Sequence, residues 1–318
     1  MFDIFARDGK GWPGFPKRSY AKLDQVEPLN AGLTEAAGAF CLDVVDADWH
    51  EFASGGRFDL SNTSALRASI SDYWSYLFQR RVPSPLDPYA SAPIYRIEIS
   101  ANPGDAHYKT LADLNEDEWI LVELVDTGIF DADVFGALLQ QVPVPAHLRK
   151  ITRAIPQTNA LNIVFSPDTW SDAQQSDIEG ALSSVPALQY LIGIDVRQGA
   201  AIGLAEANQD IGMYFDLGGG VYRNAATRPT NLQFCWRKNA PIVLSHWDAD
   251  HWSGHTSDPK ALARTWIAPK QNMTTKHIQF ANKLLRAGGT LHIWGNLPAN
   301  ISISLPGNQE LDLRRCDL

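Results

Sequence analysis

The chain contains the stretch Ser245-His246-Trp247-Asp248-Ala249-Asp250-His251-Trp252, whose first residue ends an apolar run at residues 241–245. The apolar run reads as a β-strand, and side chains at the end of a buried strand can converge on one point. Imidazoles and carboxylates are the usual ligands of zinc and of harder divalent ions, and catalytic sites keep a position open for water or substrate. The sequence therefore predicts a metal site formed by His246, Asp248, Asp250 and His251.

A metal ion at this stretch would favour hydrolysis. It would lower the pKa of a coordinated water, and a second ion would hold the substrate oxygen and the leaving group. We therefore expect Asp250 to be a catalytic as well as a metal-binding residue. The alternative interpretation is a solvated acidic turn whose histidines form only local hydrogen bonds.

The segments around this stretch predict alternating strands and helices. Upstream, 191–196, 200–205 and 211–216 are three closely spaced strands, and the last ends in Asp216-Leu217-Gly218-Gly219-Gly220. Downstream, apolar residues from His277 to Leu285 follow helical spacing until Gly288-Gly289, and a strand follows at 290–294.

The first 185 residues predict a separate unit of α/β or α+β type, so we expect two domains, 1–185 and 186–318. Helical spacing from Leu66 to Phe78 predicts an amphipathic helix. The remaining predicted elements are strands at 39–45, 94–99, 119–125 and 160–165 and helices at 134–139 and 171–182.

Composition excludes several classes of function. The formal net charge of −9 argues against a general affinity for nucleic acid or anionic lipid. No apolar run is long enough to cross a membrane, and the first residues lack the features of a secretion signal. The three cysteines, Cys41, Cys235 and Cys316, are odd in number and widely spaced, which predicts a reducing, cytoplasmic location.

Three motifs resemble a known family. The stretch at 246–251 resembles the HxHxDH signature of the metallo-β-lactamase superfamily, with Gly254 at the small residue that usually follows. Residues 195–201 resemble the DVGQGxA opening of the branch found in bacterial DNA-uptake (competence) proteins, and 214–218 resemble the family's strand that ends in Asp-x-Gly. The resemblance covers residues 191–318.

The resemblance implies an αββα sandwich, one or two divalent metal ions, and hydrolysis of an ester, amide, thioester or phosphodiester. It implies that His246 and Asp248 bind the first ion, that Asp250 and His251 bind the second, and that Asp216 supports the metal loop. Zinc is the expected ion. Because Asp248 stands where the family most often has a histidine, the donor set is harder, and manganese or iron are alternatives.

The family's second ligand set has no counterpart in the sequence after His251. Three explanations stay open: the other half of the sandwich is absent, another chain supplies it, or the amino-terminal region contributes. Residues 46–50, with Asp46, Asp48 and His50, are a candidate in that region, although an acidic strand end is the favoured interpretation. The competing functional hypothesis is a truncated or degenerate, non-catalytic protein that binds metal structurally or binds a partner subunit. A second copy of the chain or a partner chain would then cover the incomplete sandwich.

Overall fold

The computed structural model of the chain describes residues 15–28, 38–49, 58–79, 87–89, 92–115, 117–136, 143–220, 228–296 and 298–315. These residues fall into two compact units. Unit 1 draws on the ranges 1–72, 84–169 and 272–279, and unit 2 draws on 73–83, 170–271 and 280–318. Each unit therefore contains segments from distant parts of the sequence, whereas the sequence predicted a single boundary between 185 and 186.

Unit 1 is built on a closed antiparallel barrel with the strand order β1-β2-β3-β5-β6-β4. Its strands are β1 (Arg18–Pro28), β2 (Gly38–Asp46), β3 (Ile94–Ala101), β4 (Trp119–Val125), β5 (Ala132–Phe135) and β6 (Val144–Thr152). The helices of the first half of the chain are α1 (Thr63–Phe78, divided between the units), α2 (Tyr108–Ala112), α3 (Thr158–Val164) and a 3-10 turn at Pro167–Thr169.

Alternation along the strands fills the barrel. On β2, Phe40, Leu42 and Val44 belong to the apolar core, so the intervening Cys41 and Asp43 lie on the opposite face of the strand. Every residue of β2 is nevertheless buried, on both of its faces. The outer face of this strand is therefore covered, and the residues that contact Asp43 become important below.

Unit 2 is built on a six-stranded sheet with the order β12-β11-β10-β9-β8-β7. Its strands are β7 (Tyr190–Gly193), β8 (Ala201–Ala205), β9 (Ile211–Leu217), β10 (Ile242–Val243), β11 (Thr265–Pro269) and β12 (Thr290–Trp294). Neighbours from β9 to β12 are parallel, and β7-β8 and β8-β9 are antiparallel. A separate hairpin follows, formed by β13 (Asn300–Leu305) and β14 (Gln309–Arg314).

The helical elements of the second half of the chain connect these strands. They are α4 (Gln175–Leu182), α5 (Ala249–Trp252), 3-10 turns at Ser253–Thr256 and Pro259–Ala263, and α6 (Thr275–Arg286), which is divided between the units. No helix in the described ranges is both long and apolar enough to span a membrane.

The αββα sandwich predicted from the family resemblance is wrong. Unit 1 is a closed antiparallel barrel, and the described residues of unit 2 form one six-stranded sheet with a separate hairpin. The physical reason is visible in the core of unit 2. The sheet face containing Met213, Val243 and Ile267 packs against apolar residues of α4 and of the β13-β14 hairpin, so in the described chain these elements occupy the place of a second sheet.

Candidate functional site

The predicted metal-binding stretch lies at one edge of the unit 2 sheet. Strand β9 pairs in parallel with β10, with Tyr214 opposite Ile242 and Phe215 opposite Val243. Because the carboxyl ends of parallel strands meet at the same edge, Asp216 and Ser245 are brought side by side. This edge is where open α/β sheets commonly bind ligands.

Asp216 and Ser245 form the base of the site. The backbone N–H of Ser245 donates to Asp216 Oδ1 over 2.7 Å, and the Ser245 hydroxyl donates to Asp216 Oδ2 over 2.8 Å. Asp216 is only 2% exposed and has a left-handed backbone with φ of 58°, a conformation that aspartate and asparagine tolerate better than other non-glycine residues. Such conformations cluster at functional sites because the surrounding structure must hold them in place.

Both histidines of the stretch are oriented by this base. His251 Nδ1 lies 2.8 Å from Asp216 Oδ2, and His246 Nδ1 lies 2.8 Å from the Ser245 hydroxyl. All of these bonds are satisfied together when each Nδ1 carries the proton, since the Ser245 hydroxyl donates to Asp216 and can accept from His246. The Nε2 atoms of both rings then carry the free lone pairs.

Each Nε2 atom faces a carboxylate of the same stretch. His246 Nε2 is 3.2 Å from Asp248 Oδ2, and His251 Nε2 is 3.8 Å from Asp250 Oδ1. The two imidazole centroids are 3.9 Å apart. The structure therefore brings the four predicted residues together as two neighbouring histidine–carboxylate pairs.

The site opens to solvent on the side of Asp248. Its side chain is 76% exposed, compared with 35% for His246, 27% for Asp250 and 18% for His251. Burial alone would lower the pKa of His251, but the hydrogen bond to Asp216 and the negative charges of Asp216, Asp250 and Asp248 raise it above its ordinary value. The local field is thus negative and attracts cations.

Close backbone packing fixes the position of Asp250. The N–H of Ala200 donates to the carbonyl oxygen of Asp250 over 3.2 Å, and the N–H of Gly218 donates to the carbonyl of Ala200 over 2.7 Å. A Cβ atom at Gly218 would lie 2.0 Å from the Asp250 carbonyl oxygen, and one at Gly199 would lie 2.1 Å from it. These glycines let three backbone segments meet without intervening side chains, which explains the glycine-rich sequence after β9.

The tryptophans of the stretch belong to the core. Trp247 and Trp252 are 3% and 1% exposed, the indole N–H of Trp252 donates to the Trp247 carbonyl, and Trp252 stacks on Phe280 with a centroid distance of 4.5 Å. Trp236 donates its indole N–H to Asp258 over 2.8 Å. Trp247 and Trp252 therefore anchor the loop, and their burial leaves little ring surface to line a pocket or to stack a base.

Three histidines that follow the cluster in sequence do not belong to it. His255 is buried against Trp252 and Phe280, and burial lowers its pKa to about 4. His277 Nδ1 accepts the backbone N–H of Thr274 over 2.9 Å, and His292 lies on β12.

The amino-terminal candidate at residues 46–50 forms a local turn. Asp46 Oδ1 accepts the backbone N–H of Asp48 over 2.9 Å, as expected of an acidic strand end. His50 lies outside the described residues.

The imidazole and carboxylate donors of the cluster fit a divalent ion, but each possible ion position is contacted by only one histidine and one carboxylate. In a tetrahedral zinc site, neighbouring ligand atoms lie about 3.4 Å apart. The separations of 3.2 Å and 3.8 Å between Nε2 and carboxylate oxygen are close to this value. However, the described residues contain no group of three or more histidine, cysteine, aspartate or glutamate side chains already placed to hold one ion. A third ligand would require a side chain such as the exposed Asp248 to turn.

The role of Ser245 in the site was not predicted from the sequence. The hydroxyl of Ser245 connects His246 to Asp216, a role that depends on hydrogen bonds formed across two strands. A hydroxyl residue at the end of the strand was the only signal in the sequence.

The chain was also compared with known proteins. Comparisons with family models, with curated proteins and with solved structures find no match.

Proposed function

We propose that the chain is a metal-dependent hydrolase whose ions are bound by His246, Asp248, Asp250 and His251. One observation carries the proposal: Asp216 and Ser245 hold the Nδ1 side of both imidazoles, so both Nε2 lone pairs face carboxylates at a solvent-open edge. Histidines that bind metals usually donate their other ring N–H to such a partner, which fixes the tautomer and the orientation of the ring.

The chain's own residues have distinct roles in this proposal. His246 and Asp248 would hold one ion, and His251 and Asp250 a second. A bound divalent ion supplies a nucleophile from water at neutral pH and polarises the substrate. Asp250, whose backbone carbonyl accepts the N–H of Ala200, would also accept a proton on its carboxylate. Asp216 stays buried and orients the imidazoles.

The hydrogen bond donated by Ser245 favours a positioning role over a nucleophilic one. The Ser245 hydroxyl donates to Oδ2 of the buried Asp216 over 2.8 Å. A serine nucleophile instead donates to the imidazole that takes its proton. Ser245 is therefore proposed as a positioning residue that connects Asp216 with His246.

The substrate class is a further part of the proposal. The motif at 195–201 resembles that of DNA-uptake proteins, so a phosphodiester is the first substrate to assay. The net charge of −9 favours a small phosphodiester over a long nucleic acid. We place the activity in the cytoplasm, because the cysteines are few and widely spaced.

Metal analysis and a phosphodiesterase assay test this proposal. Purified protein should carry at least stoichiometric zinc, manganese or iron, and it should hydrolyse bis-p-nitrophenyl phosphate. Asp250→Ala should abolish turnover, and His246→Ala should reduce the metal content. The control is His107→Ala, because His107 is a partly exposed histidine at the start of α2 that makes no side-chain capping bond. This variant should retain both turnover and metal content. If the protein binds no metal and shows no turnover after reconstitution with each ion, the proposed enzymatic function is refuted.

A partner-binding subunit is the second candidate, and the outermost strand of the unit 2 sheet favours it. This strand is β7, in which Tyr190 is 48% and Leu191 73% exposed. Exposed apolar edges are sites of strand pairing with another chain. Concentration-dependent association in sedimentation experiments, lost in Leu191→Lys, would support this function.

A further inference from the structure

A cluster of charged side chains, most of them buried, lies on the outer face of the unit 1 barrel and shares no residue with the candidate site. The segment Asn272–Gln279 belongs to unit 1 and contributes Thr274, Lys276 and His277 to this cluster. From the barrel, β1 contributes Lys22 and Asp24, β2 contributes Asp43, and β3 contributes Arg96 and Glu98.

Asp43 contacts two residues of this segment. The hydroxyl of Thr274 donates to Asp43 Oδ2, and Lys276 Nζ lies 3.5 Å from the same oxygen. Asp43 and Lys276 are 2% and 3% exposed, so water screens this contact little. The start of α6 is thus tied to β2 through one buried carboxylate.

Asp24 competes with Asp43 for the same cation. Lys276 Nζ is 2.6 Å from Asp24 Oδ2, which is closer than its distance to Asp43. Burial alone would raise the pKa of Asp24, but the nearby Lys276 ammonium holds it below its ordinary value. Asp24 is therefore ionised, and its charge repels that of Asp43.

The other charged groups around Asp43 offset its burial only in part. Arg96, opposite Asp43 on β3, attracts it but also lies 2.9 Å from Glu98, and Lys22, opposite Asp43 on β1, donates to the Met273 carbonyl over 3.3 Å. His277 is hydrogen-bonded to Thr274. Burial, with the repulsion from Asp24, raises the pKa of Asp43 to about 6 against the attraction of Lys276 and Arg96 and the hydrogen bond from Thr274.

We propose that Asn272–Gln279 is a pH-sensitive latch on the barrel, which Asp43 holds more firmly in acid than at neutral pH. The sign follows from proton linkage. In the closed latch Asp43 binds its proton up to about pH 6, whereas an Asp43 exposed by opening binds it only up to about its ordinary value of 3.8. The closed form therefore binds more protons between these values, and closure weakens as the pH rises through 6.

Hydrogen exchange of the intact chain tests the latch. Protection of the amides at 275–279, corrected for intrinsic exchange rates, should fall about tenfold between pH 5 and pH 7.5. Amides of β4 in the same barrel serve as the internal reference. This measurement needs no variant, and protection that is equal at the two pH values would overturn the proposal.

Two variants separate the latch from a merely structural ion cluster. Asp43→Asn imitates the protonated carboxyl, so it should raise protection at pH 7.5 and remove the pH dependence. Asp24→Asn removes the charge that repels Asp43, so it should reduce the fall in protection between pH 5 and pH 7.5. Lower protection at pH 7.5 in Asp43→Asn would show a merely structural ion cluster and would refute the latch.

Discussion

The single carboxylate of Asp216 determines the orientation of both imidazoles in the candidate site. It accepts two hydrogen bonds from Ser245 and one from His251, and through Ser245 it also orients His246. The negative charge that makes both rings better ligands is therefore located on one buried residue.

Asp216→Asn should weaken metal binding without disrupting the fold. Asparagine accepts the left-handed backbone but removes the negative charge, so zinc affinity measured by titration calorimetry should fall roughly 10- to 100-fold. Asp258→Asn is the control, because Asp258 is another buried aspartate of unit 2 and accepts bonds from Phe234 and Trp236. The Asp258→Asn variant should have a lower free energy of unfolding but an unchanged zinc affinity. Unchanged affinity in Asp216→Asn would contradict the positioning role.

His255 predicts a pH dependence of folding. Its folded pKa of about 4 lies below its ordinary value of 6.5, so the unfolded chain binds more protons between these values. Its contribution to stability is present above pH 6.5 and is lost as the pH falls through 4. The loss between pH 7 and pH 4.5 should be about 2 kcal/mol.

Urea unfolding at both pH values checks this contribution. His255→Phe replaces the imidazole with a neutral ring between Trp252 and Phe280, so its unfolding free energy should fall by about 2 kcal/mol less than that of the wild type over the same pH interval. An equal pH dependence in the two proteins would show that His255 titrates normally.

Among the elements, several were predictable from sequence. The predicted helix at 66–78 is confirmed by α1, and the strands at 119–125 and 290–294 are confirmed by β4 and β12. The apolar residues of α1 recur at helical spacing, whereas those of β12 alternate, and such a period decides between helix and strand.

Two apolar runs, at 134–139 and 160–165, gave wrong predictions. Residues 160–165 were predicted as a strand but lie largely in α3, where Ala160, Leu161 and Val164 are buried on one face. Residues 134–139 were predicted as a helix, yet 134 and 135 lie in β5, which is held by pairing with β3 and β6, and 137–139 lie outside the described residues. Runs of this length fit both periods, so pairing partners distant in sequence decide the outcome.

The turn that presents Asp250 predicts a sharp effect of one methyl group. Gly218→Ala would place a Cβ atom against the Asp250 carbonyl, so the free energy of unfolding should fall by about 1 to 3 kcal/mol. Gly180→Ala is the matched control. This glycine lies within α4 with no atom within 4 Å of the added Cβ, so the change should stabilise by up to about 1 kcal/mol. Equal effects in urea unfolding would contradict the close packing.

At the scale of the whole molecule, sequence patterns located a cluster of neighbouring side chains but did not predict the architecture. The four residues of the stretch are local in sequence, so one strand and one turn suffice to bring them together. The barrel could not be predicted, because its closure depends on the pairing of β1 with both β2 and β4, roughly 20 to 100 residues apart in sequence. The path of the chain, which returns to unit 1 at 272–279, also depends on distant contacts.

The contrast in exposure within the cluster has a consequence for redesign. Asp216 is buried and satisfied by several partners, whereas the side chain of Asp248 is 76% exposed, so Asp248 can be exchanged without repacking the base of the site. Asp248→His would add an imidazole without a change in the scaffold and should shift selectivity from manganese toward zinc. Competition titrations of the two ions on both proteins would measure this shift. If the chain is the metal-dependent hydrolase proposed above, a single surface substitution should therefore tune its choice of metal.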